Sequence, residues 1–180
     1  MALLERTETV PPARINALCV LGRLRAARGQ PDTWELLDEA KALADRTAEL
    51  QRLGPVAIAR AEAAWLAGDL QRVAAEARPA YELSQGKDHL WIRGVLAVWL
   101  HRAGALAPVP EGLPRACGLE IGGDTAGAAE EWARLGCPYE QALALAHRDD
   151  RPMVLEAERL LERLGARAAV RVVRGRRLLV

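Results

Sequence analysis

Three histidines, three cysteines and a handful of carboxylate pairs are the residues of this chain that could do chemistry, and their spacing argues against most of it. Cys19, Cys117 and Cys137 are odd in number and far apart, with no CxxC. Neither a disulfide framework nor a zinc site of thiolates follows from them. Cys137 lies between Gly136 and Pro138, so it reads either as an accessible thiol at a helix N-terminus, where the dipole lowers its pKa, or as a small residue in a tight turn. Ser84 stands alone in a polar break and reads as a turn residue. His89 and His101 fall on one expected helix, about 18 Å apart, too far to share a metal. His147 reads as a cation at a helix C-terminus. Glu130-Glu131 and Asp149-Asp150 are adjacent in sequence and diverge on a helix or sit in a turn. Glu156, Glu158 and Glu162 alternate with Arg159 and Arg163 at helical spacing, the pattern of a salt-bridged solvated face. No phosphate-binding loop, GxSxG, HExxH or EF-hand loop occurs. The expectation is a protein without catalytic residues, metal or cofactor.

Two features remain for recognition rather than catalysis. Five tryptophans, Trp34, Trp65, Trp91, Trp99 and Trp132, fall at about one per expected helix. Trp91 and Trp99 are eight residues apart, nearly on one face, with Arg93 and Arg102 on the same helix. Most such rings plug neighbouring helices, but Trp and Arg also anchor partners at hot spots. These four residues are the expected partner-binding set. The second feature is a basic stripe: Arg163, Arg167, Arg171 and Arg174 are spaced 4, 4 and 3 apart, and Arg176 and Arg177 extend it. Glu162 is the one acidic residue read as opposing it. Phosphates or an acidic partner would suit such a surface.

These side chains must be carried by helices. Of 180 residues, 35 are Ala and 28 Leu, while Phe is absent and Tyr occurs twice, a composition for helix and against a β-sandwich or barrel. The net charge of +1 gives no global field toward nucleic acid or anionic membrane. No apolar run reaches 18 residues, and Met1 to Thr9 is too short and too charged for a signal peptide. A reduced, cytoplasmic protein is expected.

Breakers divide the chain into about ten helices. Pro11-Pro12 opens the first, which ends near Gly29; Asp32 or Thr33 starts the second. Gly54-Pro55 starts a third, and Asp69 caps a fourth that runs to about Leu83. A fifth spans about Asp88 to Ala103. The Pro108–Pro114 stretch is irregular. Short helices follow from Arg115, Asp124 and Pro138, and two longer ones cover roughly Pro152 to Leu164 and Ala166 to Leu178. The turn glycines Gly29, Gly68 and Gly104 recur at 39 and 36 residues, near the tetratricopeptide period. The expected fold is therefore all-α, with tetratricopeptide-like antiparallel helix hairpins stacked in a right-handed superhelix over a single domain, 1–180, broken by a loop near 105–114. A compact bundle is the alternative.

Several segments carry a family resemblance. They include Trp34-Glu35-Leu36-Leu37-Asp38-Glu39-Ala40, Ala59 through Asp69, Trp99 through Leu106, Trp132 through Ala146, and Leu164 through Ala169. Together they resemble the helical-repeat region of large ATP-binding bacterial transcriptional regulators of the LuxR family. In those regulators an ATPase precedes the repeats and a helix-turn-helix follows, and the repeats sense a ligand or partner. This chain has neither a phosphate-binding loop nor a terminal helix-turn-helix. The resemblance therefore implies only the interaction role: a non-enzymatic module for a protein or peptide, acting as the sensor or scaffold segment of a signalling regulator or as a free-standing relative. A small-molecule effector near the Pro108–Pro114 loop and a nucleic-acid contact through the arginine stripe are the alternatives, the latter disfavoured. Homo-oligomerisation stays open, and no membrane partner is expected.

Overall fold

The computed structural model describes residues 11–147 and 150–177. The expectations for Met1–Thr9 and for the Arg176 and Arg177 side chains lie outside the described residues. Within them the chain forms ten helices and no strand: α1 Pro11–Arg28, α2 Thr33–Asp45, α3 Leu50–Leu66, α4 Leu70–Leu83, α5 Leu90–Arg102, α6 Arg115–Ile121, α7 Thr125–Arg134, α8 Pro138–Leu145, α9 Arg151–Arg163 and α10 Arg167–Arg177. No described helix is long and apolar enough to cross a membrane.

Local chemistry sets most boundaries. The side chains of Asp69, Asp124 and Asp150 accept from the backbone N–H of Arg72, Gly127 and Met153, capping α4, α7 and α9. At the other ends a single turn recurs. After α3, Gly68 adopts φ +80°, and the Asp69 N–H reaches back to the Ala64 carbonyl while Gly68 N–H bonds Trp65 O. That geometry satisfies two end carbonyls and needs a left-handed residue, which glycine supplies without a Cβ clash. The same pair of bonds closes α5, α7 and α9. At α2 the cap differs from expectation. Asp32 makes no side-chain cap bond, and Thr33 Oγ1 instead donates to Gln30 O.

One boundary is corrected outright. Gly54-Pro55 does not start α3, which begins a turn earlier at Leu50 and carries Pro55 inside it. Leu50 is buried, and that burial offsets the backbone bond Pro55 cannot make. Gly54 has a packing role rather than a breaking one. A Cβ placed on it would lie 2.4 Å from Ile92 Cγ2 of α5, so the absence of a side chain lets α3 and α5 approach.

Consecutive helices pack along the whole chain, and α1 also meets α3, and α3 meets α5. Those next-but-one contacts set α1, α3 and α5 side by side. A further contact joins the extremes of the sequence: α10 packs on α1 and α3. Short α8 sits where the pieces converge. Its consecutive buried residues Ala142, Leu143 and Ala144 enter three different apolar clusters, formed respectively with α9 and α10, with α3, α4 and α5, and with α5, α6 and α7.

Two glycines on these helices should respond oppositely to alanine. Gly54→Ala overpacks the Ile92 contact, at about 1–3 kcal/mol, against the roughly 1 kcal/mol of helix propensity it gains. Net destabilisation is expected, read as a lower urea midpoint. Gly118, exposed in α6 with nothing near its missing Cβ, should give stabilisation of about 0.5–1 kcal/mol as Gly118→Ala.

Candidate functional site

Helix α5 presents the expected partner-binding residues, and the fold assembles three of the four. Trp91, in its first turn, remains 49% exposed. Its ring lies 6.1 Å from that of Trp132 on α7, tilted by 47°. Two turns on, buried Trp99 stands edge-to-face with Trp65 of α3 at 6.1 Å. Between these rings opens a cavity of about 390 Å³, walled by Trp91, Val95, Val98, Trp99 and Arg102 of α5, Ile58 of α3, Trp132 of α7, and Glu140 and Leu143 of α8. Arg23 of α1, with Leu135 and Cys137 from the α7–α8 turn, completes the rim. Arg93 is on α5 but does not line this cavity. It is half-buried, and its Nε has no hydrogen-bond partner.

The charges on the wall are already compensated. Arg102 lies 4.7 Å over the Trp99 ring, and its Nε and Nη2 donate to Glu120 Oε1 at 2.8 and 2.7 Å. Glu120 is fully buried, so this pair ties α5 to α6 through an ion pair sealed from water. Arg23 bridges two carboxylates. Its Nε donates to Glu62 at 2.6 Å and its Nη2 to Glu140 at 3.1 Å. Glu62 is 1% exposed, and burial pushes its carboxyl above the ordinary range despite Arg23. The Tyr139 hydroxyl, buried beside it without a hydrogen bond of ordinary geometry, is also held well up by burial and then by the Glu62 charge.

Among the remaining sequence candidates, Ser84 keeps its expected turn role, while the arginine stripe changes character. Burial, with Glu140 nearby, raises the Cys137 thiol above its ordinary pKa, which favours the tight-turn reading over the acidified thiol. Ser84 is fully buried, its Oγ donating to Tyr81 O as a turn residue does. The arginine stripe is more neutralised than its sequence suggested. Arg174 donates to Glu158 at 3.2 Å and also to Glu162, and Arg163 lies 3.9 Å from Glu156. Glu162 is thus not the sole opposing charge: packing of α9 on α10 sets Glu158 and Glu162 beside Arg174. Arg163 ends α9 before the Gly165 turn and faces Glu156 of its own helix, so the four arginines do not share the last helix as their spacing suggested. Arg171 packs against Gly29 at the end of α1, and Arg167 and Arg171 remain exposed around a shallow hollow of about 460 Å³. Glu158, read as part of a solvated face, is buried.

Sequence spacing missed two further arrangements. Between α2, α3 and α4 lies an apolar cavity of about 330 Å³, walled by Leu53, Val56, Ala57, Pro79 and Leu83. Arg60 on its wall is buried and fully engaged, with Nη1 on Asp38 at 2.5 Å and Nε and Nη2 on Glu76 at 2.6 and 2.8 Å. The other is a histidine pair. His101 does not approach His89 but His147, with ring centroids 5.2 Å apart. Nothing local signals either, or the joining of Trp132 to Trp91, since the partners are 41 to 46 residues apart or on three separate helices.

No family model matches this chain, and neither a curated protein nor a solved structure matches it.

The raised Glu62 carboxyl has a consequence for stability. A group that binds its proton more tightly when folded adds stability below its unfolded pKa, and that stability is lost as pH rises through the folded pKa. Urea unfolding between pH 4 and 8 should show a decline in this window. Glu62→Gln, permanently neutral, should flatten it, whereas an unchanged slope would assign the decline to other groups.

Proposed function

We propose that this protein is a non-enzymatic interaction module, whose tryptophan-lined cavity takes an apolar side chain of a protein or peptide partner. The observation carrying the reading is Trp91, half-exposed in contact with Trp132 on the wall of an open cavity that both rings line. A large aromatic surface left in water beside a preformed hollow is the arrangement of a hot spot, where a partner's anchor excludes the remaining solvent. The ion pairs support the chemistry of that anchor. With Arg102 engaged by Glu120 and Arg23 by Glu62 and Glu140, an aliphatic or aromatic group enters without stranding a charge. The resemblance to the repeat region of LuxR-family regulators supports the wider role, that of a sensor or scaffold segment in bacterial signalling or transcription regulation.

A second reading, a small-molecule effector domain, is favoured by the cavity between α2, α3 and α4, whose size falls at the low end of ligand pockets. Nucleic-acid contact through the arginine stripe has less support, since Arg163 and Arg174 already face carboxylates.

Panning a random peptide library on the immobilised protein tests the main reading. The selected peptides should share an apolar anchor and bind Trp91→Ala at least tenfold more weakly, as truncating a hot-spot aromatic costs about 2 kcal/mol or more. The circular dichroism melt should be unchanged. Peptides indifferent to Trp91→Ala would place recognition elsewhere. For the second reading, a metabolite that raises the melting temperature should lose its effect in Ala75→Trp, which fills the α2–α4 cavity from its exposed rim.

A further inference from the structure

We infer that the cavity between α2, α3 and α4 takes a neutral bicyclic aromatic molecule with one N–H or O–H donor, which bonds the backbone carbonyl of Ala75 on the cavity wall. The inference rests on the small-molecule reading of that cavity and names the ligand class.

The acceptor follows from the sequence of α4. Pro79 lies inside this helix and has no N–H, so it cannot make the bond that residue i+4 gives to the Ala75 carbonyl. A helical carbonyl points along the axis toward the residue four positions on. Here Ala75 and Pro79, one turn apart, both line the cavity, so the carbonyl between them opens on that wall, where the proline ring crowds it outward. Both residues are exposed at the cavity mouth, which leaves the oxygen within reach of water. A ligand that displaces such a water without replacing its hydrogen bond loses affinity, and one that brings a donor does not.

Charge and size define the rest of the class. The ionic groups on the walls are matched among themselves, Lys41 with Asp45 at 2.6 Å and Arg60 with Glu76 and Asp38. A neutral ligand therefore strands none of them. Val56, Ala57 and Ala80 give a buried apolar floor. A cavity of about 150 Å³ with aliphatic and aromatic walls holds one benzene ring. This one has about 330 Å³, room for two fused rings. The acceptor is also fixed in place, since Val73, Ala77 and Ala80 of α4 are buried in one cluster with Ala57, Ala61 and Trp65 of α3.

Titration of the full chain with indole, and with benzothiophene as its isostere without a donor, tests this through the shifts of the amide resonances. Both should saturate at one molecule per chain, and Ala75→Trp should abolish both. In Pro79→Ala the helix regains an N–H for the Ala75 carbonyl, and the melting temperature should hold or rise. Loss of the proline ring weakens the two ligands alike, whereas closing the carbonyl acts on indole alone. The ratio of indole to benzothiophene affinity should therefore fall about threefold or more, the loss of one hydrogen bond. An unchanged ratio overturns the donor contact while leaving the cavity a ligand site. Absence of saturable indole binding, or binding that survives Ala75→Trp, overturns the inference as well. The effector reading would still stand on a metabolite whose stabilisation is lost in Ala75→Trp.

Discussion

The charge cluster of Arg23, Glu62 and Glu140 is the interaction on which the rest of the architecture depends. It joins α1 to α3 across 39 residues and α1 to α8 across 117. Glu62 has almost no contact with water. A carboxyl in that position is tolerable only if protonated or paired. The energetic consequence is asymmetric: the cluster adds modestly when complete, but losing Arg23 strands two acidic groups, one of them buried. Helices far apart in sequence are therefore held in one relative position, since displacement of any of the three leaves an unmatched charge.

What this permits is visible at α8. A helix of eight residues has little stability of its own, because nucleating the first turn is costly. Here Ala142, Leu143 and Ala144 are buried in three directions, so packing rather than propensity maintains it. Small residues make this arrangement feasible: with Ala at two of the three positions, neighbouring helices can approach from several sides. The tryptophan cavity is a by-product of the same geometry. The rings of Trp99 and Trp65 pack against each other in the core, while Trp91 and Trp132 meet where α5 and α7 diverge, and the gap between the two pairs is not filled.

Charge follows a similar logic across the molecule. The chain is rich in arginine, and many of its guanidiniums are spent internally: Arg60 on Asp38 and Glu76, Arg102 on Glu120, Arg174 on Glu158 and Glu162. The planar fork of arginine suits it to such bridges between helices. Trp34, meanwhile, is covered by Arg72 at 3.5 Å and Arg60 at 5.2 Å, so that a surface tryptophan is sheltered by cations on neighbouring helices. Trp91 has no such cover among the described cation–ring contacts, and this distinguishes two aromatic residues that look alike in sequence.

Sequence alone determined the helices and most of their ends. Asp69, Asp124 and Asp150 cap residues three positions on, and the glycine-centred turns close through bonds spanning five residues or fewer. Such interactions are local and readable from spacing. Gly54-Pro55 misled because its local signal is that of a breaker, while burial of Leu50 and the close approach of Ile92 override it. Trp91, Trp99 and Arg102 were legible as candidates, since a shared helix face follows from period. Trp132, Arg23, Glu140 and the His101–His147 pair were not, because their proximity depends on how separate helices pack. The arginine stripe illustrates the same divide. Its spacing is a sequence property, but the Gly165 turn leaves Arg163 on α9, facing Glu156 of its own helix, and the charge of Arg174 on α10 depends on Glu158 and Glu162, which α9 sets beside it. Hydrogen bonds within a turn are encoded locally; which faces meet, which charges cancel and which hollow stays open are fixed only when the whole core closes.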